Sequence, residues 1–376
     1  MGESAAGVAG QAHTGELNFA LIGHQEGWRA AADVFAVLRG PAHPPLPEDE
    51  LKDILPWIPP RAICHVEVGS TIGAKVRGLY IDSFIPPDQL EPHYLRDNIA
   101  RVRGAASYAI KAGARIVSLG GFSSILIEGN VDLLKLDQLP ERNGTVFTTG
   151  NTLTVGFIVQ GIQRMCASEG RNLSRSTLLI VGATGDVGSG CARCLAPMVG
   201  RLLVYARNVD RLRRLGAELK GAGVQVEIAT GLEQFSTEAD VVICAASLPS
   251  PSFLLSRIAA GAIVCDAGYP KNLCPGAQIP GAKVFFGGLG QITGGMRFTP
   301  DLRGILNRHP FPDVVHGCLL EGIALALERR FEPFSQGRGF ITPERVQEIE
   351  TIAARHGIFL APFYNADGPI MSRLTS

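Results

Sequence analysis

The run "LLIVGATGDVGSGCARCLAP", residues 178–197, constrains the fold more than any other stretch. An aliphatic strand passes into Gly182, Gly185 and Gly188 and then into a helix of small residues stopped by Pro197. At this spacing the first glycine permits a tight turn and the second lets backbone approach a pyrophosphate. The third lets helix and strand pack closely. The run predicts a dinucleotide site built from Gly182, Thr184, Gly185, Asp186, Val187 and Gly188. Downstream, "RLLVYARN", "VQVEIA", "ADVVICAAS", "AIVCDAG" and "KVFFGG" are apolar runs without polar alternation, most followed by helix-length segments. That pattern describes a parallel sheet covered on both faces. We read 171–290 as a doubly wound Rossmann-type α/β domain. Where an NAD site carries Asp or Glu for the ribose 2′-hydroxyl, this chain has Arg207, with Arg211 and Arg213 nearby. A guanidinium suits a 2′-phosphate, so the expected cofactor is NADPH.

The rest divides around that domain. Residues 1–16 read as a flexible tail and 17–170 as an N-terminal α/β unit. That unit has a strand in "LNFALIG", a helix over 28–38, strands in "RAICHVEV" and "AKVRGLYI", and a long helix "PHYLRDNIARVRGAASYAIKAGA". The strand "RIVSLGG" follows, and "NTLTVGFIVQGIQRMCASEG", closed by Gly170, is a helix expected to bridge two domains. Residues 291–376 read as a C-terminal helical segment packing back. Within it 311–330 is one amphipathic stretch, and "TPERVQEIETIAARHG" is the last helix.

With 35 basic and 35 acidic residues the chain has no global field for nucleic acid or anionic membrane. No apolar run reaches the roughly 18 residues of a spanning helix, and the start lacks signal-peptide order, so a cytoplasmic protein is expected. Eight cysteines without scaffold spacing point to free thiols. Cys64, Cys166, Cys244 and Cys265 read as core and Cys274 as a loop residue. The Cys191–Cys194 pair lies inside a packing helix with no second pair, so no metal ligands are expected.

Cys318 is ambiguous on pattern alone. Val315, Cys318, Leu319, Gly322, Ile323 and Ala326 trace one helical face, and core filler and nucleophile both remain open. Gly317 and Gly322 flank it and suggest that something approaches the backbone closely. The polar loops "GGFSS", "TTGN" and "GYPKN" follow apolar runs. In them Ser123, Thr149 and Asn151 could donate hydrogen bonds, and Lys271 could stabilise an oxyanion or move a proton. Thr149 and Asn151 read equally well as helix N-caps. His316 reads as solvated or capping, because helical residues two apart face different ways.

Several words resemble the cyanobacterial-type long-chain acyl-[acyl-carrier-protein] reductase family: "LIGH" at Leu21, "LGGFSSI" at Leu119, "FTTGNT" at Phe147 and "GATGDVGS" at Gly182. "ARN" at Ala206, "GYPKNL" at Gly268, the Cys318 stretch and "RHGI" near the end extend the likeness. The resemblance implies reduction of a fatty acyl thioester by NADPH to a fatty aldehyde through an acyl-enzyme on Cys318. It implies acyl carrier protein or coenzyme A as acyl donor, and admits an aldehyde-consuming enzyme as a further partner. On this reading the flanking glycines leave room for an acyl chain, and Cys318 lies near the first turn of its helix. An acidic carrier would dock on the basic helix carrying Arg96, Arg101, Arg103, Lys111 and Arg115. Two other readings stay open: a shikimate-dehydrogenase-like NADPH oxidoreductase of a small hydroxy or keto acid, and a non-catalytic NADPH-responsive binding protein.

Overall fold

Two sheets, one mixed and one wholly parallel, share one buried helix. The computed structural model describes residues 16–89, 92–126, 136, 139, 144–221, 223–229, 231, 237–246, 258–269, 271–273 and 279–370. Cys274, and the expected tail apart from Glu16, lie outside these residues.

The first sheet holds β1 (Phe19–Gly23), β2 (Arg61–Gly69), β3 (Lys75–Asp82), β4 (Ile116–Leu119) and β5 (Val146–Thr148), ordered β2-β3-β1-β4-β5. β3, β1, β4 and β5 run parallel, and β2 forms an antiparallel hairpin with β3. β1 and β4 are buried along their whole length, as strands covered on both faces must be. Helix Leu95–Lys111 covers one face through Val102, Ala105, Ala106, Ala109 and Ile110, a stripe at three- and four-residue spacing. Helices Trp28–Arg39 and Gly317–Leu327 supply the opposite core.

The second sheet is wholly parallel: β6 (Thr177–Val181), β7 (Arg201–Tyr205), β8 (Val226–Ile228), β9 (Val241–Cys244), β10 (Ile263–Asp266) and β11 (Lys283–Phe286). Its order, β8-β7-β6-β9-β10-β11, starts centrally, runs to one edge and returns to build the other half. This is the doubly wound arrangement, with its crevice between β6 and β9. Helix Asn151–Ser168 serves both cores, giving Leu153 and Phe157 to the first and Val155, Ile158, Ile162 and Met165 to the second.

The C-terminal part is less helical than expected. β12 (Leu289–Ile292), β14 (Val314–His316) and β15 (Ile358–Leu360) form an antiparallel sheet, while β13 (Met296–Thr299) extends the first sheet beside β2. The 311–330 stretch is therefore not one helix. Its two adjacent valines, Val314 and Val315, enter a strand paired with β12, and the helix begins only at Gly317. Helix Pro343–Arg355, capped by the Thr342 side chain, packs back on Asn151–Ser168. Among the described residues no helix is long and apolar enough to cross a membrane.

Candidate functional site

The carboxyl ends of the parallel strands of both sheets open on one cleft of about 910 Å³. Gly23, His24, Gly120 and Gly121 line it from the first sheet, and Gly182, Ala206, Ala245, Ala267 and Gly287 from the second.

On the nucleotide side Gly182 has φ 86°, and a Cβ there would meet the Ala245 carbonyl oxygen at 2.6 Å. A Cβ at Gly188 would overlap the Gly182 carbonyl, so this glycine sets the approach of helix to strand. Gly185 caps helix Asp186–Leu195 without a side-chain hydrogen bond, which leaves first-turn N–H groups for an anion. Gly182, Thr184, Gly185, Val187 and Arg207 line the cleft. Gly188 and Asp186 do not: Asp186 is fully buried and accepts a hydrogen bond from Asn151 Nδ2 at 2.9 Å. That contact ties the glycine loop to the shared helix. Arg207 is exposed at the end of β7 with Asn208 and Arg211 also on the cleft, whereas Arg213 pairs with Asp210 at 3.3 Å. These residues fit a dinucleotide carrying a 2′-phosphate.

On the thiol side Cys318 is the second residue of helix Gly317–Leu327 and is half-buried on the cleft. The backbone N–H groups of Gly121, Leu319 and Cys318 itself favour its thiolate. Burial pushes the thiol above its ordinary value, and these donors oppose that rise. Gly150, with φ 69°, lies so close that a Cβ would overlap the Cys318 backbone. Gly120 abuts the Leu319 side chain in the same way. The close approaches at Gly317 and Gly322 come from Thr154 and Ser118. The room expected there for an acyl chain is already filled.

A buried carboxylate holds this corner together. Glu321 accepts the Leu153 N–H at 3.0 Å and the Ser335 hydroxyl at 2.9 Å, and also the Thr148 hydroxyl. It thereby satisfies an orphan donor of helix Asn151–Ser168, whose cap residue, Gly150, has no side chain. Burial raises the Glu321 pKa, and the three donors oppose that rise. The expected caps are displaced: Asn151 is already helical, and Thr149 is buried with its N–H on the Ser335 carbonyl at 3.0 Å. Asn151 lines the cleft, whereas Thr149 does not. Ser123 is also buried away from it, and Ser124 takes its place in the lining. Lys271 lines the cleft, with Nζ 3.3 Å from the Asp266 carbonyl and 5.0 Å from the centre of the Phe286 ring. Asp266 shapes that loop by accepting the N–H groups of Gly268, Asn272 and Leu273.

Sequence reasoning missed several lining residues. His24 and Tyr269 meet across the cleft, with Nε2 2.9 Å from the hydroxyl. His309 packs edge-on against His316 at 5.5 Å and holds Tyr364 through Nδ1 at 2.5 Å. His316 is the N-cap residue of the Cys318 helix, though without a side-chain hydrogen bond; it is half-buried, lines the cleft, and burial, His309 and Lys271 hold its imidazole well below the ordinary value. The available signal was position, since His24 directly follows β1 and Tyr269 lies three residues past the end of β10, both parallel strands. The basic helix also differs from expectation: Arg101 turns inward to the carbonyls of Pro56, Ile58 and Ser83, and Arg115 pairs with Glu16. Among the described residues no group of three or more His, Cys, Asp or Glu is placed to hold a metal ion.

The family model described as shikimate / quinate 5-dehydrogenase matches residues 164–285, which stop short of Cys318. The long-chain acyl-[acyl-carrier-protein] reductase of Synechococcus elongatus is 31% identical over 346 residues, covering 90% of this chain and 97% of that protein. Aminotransferase PigE of a Serratia species is 23% identical over 70% of this chain and 30% of its own. Among solved structures, the dipicolinate synthase A chain of Bacillus subtilis overlaps 51% of this chain and 59% of its own, at 14% identity and a TM-score of 0.30.

Proposed function

This chain belongs to the long-chain acyl-[acyl-carrier-protein] reductase family, NADPH-dependent oxidoreductases, and on that premise we propose that it reduces a fatty acyl thioester to a free aldehyde through an acyl-enzyme on Cys318. The observation that supports this most is the placement of the Cys318 sulfur. It reaches the cleft from the first turn of a helix, beneath backbone donors, in the same cleft as the glycine loop. The donors are acyl carrier protein, after the relative's name, or coenzyme A.

The chemistry follows from these groups. The Cys318 thiolate attacks the acyl carbonyl, while backbone N–H groups and the Lys271 ammonium offset the charge on oxygen. The bond to the carrier sulfur then breaks, and that sulfur leaves with a proton. The acyl group remains on Cys318 as a thioester, electrophilic enough to accept hydride where a serine ester would be less so. NADPH, when bound, supplies that hydride to the acyl carbon. The carbon–sulfur bond of the resulting thiohemiacetal breaks, its electrons return to Cys318, and the aldehyde departs. In this assignment Gly182, Thr184, Gly185 and Val187 hold the pyrophosphate and Arg207 the 2′-phosphate. Asp186 and Asn151 lock the glycine loop to the thiol side. Ala30, Ile125, Ile305, Leu306 and Leu319 give the acyl chain an apolar wall. Residues 17–170 form the acyl side, 171–290 the NADPH side, and 291–376 carry the cysteine.

The test is incubation of the purified chain with a fatty acyl thioester and NADPH, following cofactor absorbance and extracting products. Fatty aldehyde equal to the cofactor consumed is expected. Turnover of shikimate-like acids without aldehyde formation, or cofactor binding without turnover of acyl thioester, would contradict the proposal.

A further inference from the structure

Opposite the thiol, His24 occupies a position that the chemistry above does not use. It follows β1 directly, is nine-tenths buried, and lines the cleft. Two groups meet its Nε2: the Phe122 N–H at 3.3 Å and the Tyr269 hydroxyl at 2.9 Å. An amide N–H can only donate, so Nε2 is the acceptor nitrogen and the ring proton sits on Nδ1, which faces the Gln25 carbonyl at 3.2 Å. Burial disfavours the imidazolium and keeps the ring in this neutral tautomer.

The ring also touches Gly121. That glycine has φ 55°, and a Cβ on it would sit 3.3 Å from His24 Nε2. The turn that carries Gly121 abuts the thiol's helix, since a Cβ on the adjacent Gly120 would sit 2.4 Å from the Leu319 side chain, and Gly121 and Cys318 line the same cleft. The Gly121 N–H favours the Cys318 thiolate from outside that helix. The turn presenting this donor is therefore pinned from behind by His24. His24 is pinned in turn by Tyr269, which stands edge-on to it at 5.5 Å between ring centres and comes from the loop after β10 of the nucleotide sheet.

We propose that His24 is a positioning residue for Cys318: its Nε2, shared between the Phe122 amide and the Tyr269 hydroxyl, holds the Gly121 N–H on the thiol sulfur and links that donor to the nucleotide side of the cleft. It transfers no proton and contacts the thiol only through the turn. The proposal rests on Cys318 being the reactive thiol, but its test does not require acyl transfer.

That test is the pH dependence of Cys318 alkylation by iodoacetamide in the intact protein, followed by mass on the Cys318 peptide. Losing one N–H donor to a thiolate is worth about tenfold in thiolate fraction, so His24→Ala should move the alkylation midpoint up by about one pH unit. His24→Gln can still accept the Phe122 N–H through its amide oxygen and should recover much of that shift. Tyr269→Phe keeps the ring but loses the hydroxyl and should shift the midpoint the same way by less. A role confined to packing would alter thermal stability in all three variants without ordering their midpoints in this way. Midpoints in His24→Ala and Tyr269→Phe that overlie the parent's would overturn the proposal. Failure of the acyl-enzyme reading would instead appear as an unacylated Cys318 with these alkylation shifts intact.

Discussion

Gly150→Ala tests whether the loop after β5 and the Cys318 helix form one rigid seat. The native φ of 69° is left-handed, which costs an alanine about 1–2 kcal/mol. The added methyl would also overlap the Cys318 carbonyl and Cα, both main-chain atoms that cannot rotate aside. Relief requires the two backbones to part by about 1 Å, the scale of misplacement that costs roughly a hundredfold in rate. The Asn151–Asp186 hydrogen bond holds the start of the shared helix to the glycine loop, so the separation is taken up by the Cys318 helix and the nucleotide loops keep their places. Gly150→Ala should therefore lower kcat for acyl thioester about a hundredfold and leave NADPH affinity within about twofold, measured by steady-state aldehyde formation and cofactor fluorescence. A variant with parental kcat would refute the close packing on which the site's geometry depends.

Arg207→Ala removes a charge-assisted phosphate contact, so NADPH should bind about ten- to a hundredfold more weakly with little change for NADH in a titration; equal weakening of both cofactors would argue against a 2′-phosphate role. Asp82 is fully buried beside Gln25 and Phe84, and desolvation raises its pKa to about 6 despite their hydrogen bonds. Because the folded value lies above the ordinary 3.8, its contribution to stability is present below pH about 4 and lost as pH rises to about 6, roughly 3 kcal/mol in all. Asp82→Asn should flatten that part of the profile of unfolding midpoint against pH; parallel profiles for parent and variant would contradict it.

The nucleotide half was legible because its signals are local. One glycine loop and successive apolar runs each state their own role, and the strands formed where those runs lie. The acyl half was harder to read. Cys318 meets Gly150, Gly121 and Glu321, of which the first two lie far away in sequence, and nothing in the spacing of "TTGN" or "LGGF" shows that they converge on it. The 311–330 stretch misled because a pair of valines suits a strand as well as a helical face, and β12 was present to pair with them. Asp186 and Ser123 were placed in the site by adjacency, whereas the turn of helix or loop at each directs the side chain inward. His24 and Tyr269 carried a positional signal that residue type alone did not reveal.

The central claim is that Cys318 becomes acylated. Incubating the chain with a fatty acyl thioester in the absence of NADPH, then measuring intact and peptide masses, addresses it directly. The account predicts one acyl mass, located on the Cys318 peptide, removed with release of aldehyde when NADPH is added, and missing in Cys318→Ser, which still binds NADPH. An acyl mass on another cysteine, or full aldehyde formation by Cys318→Ala, would contradict it.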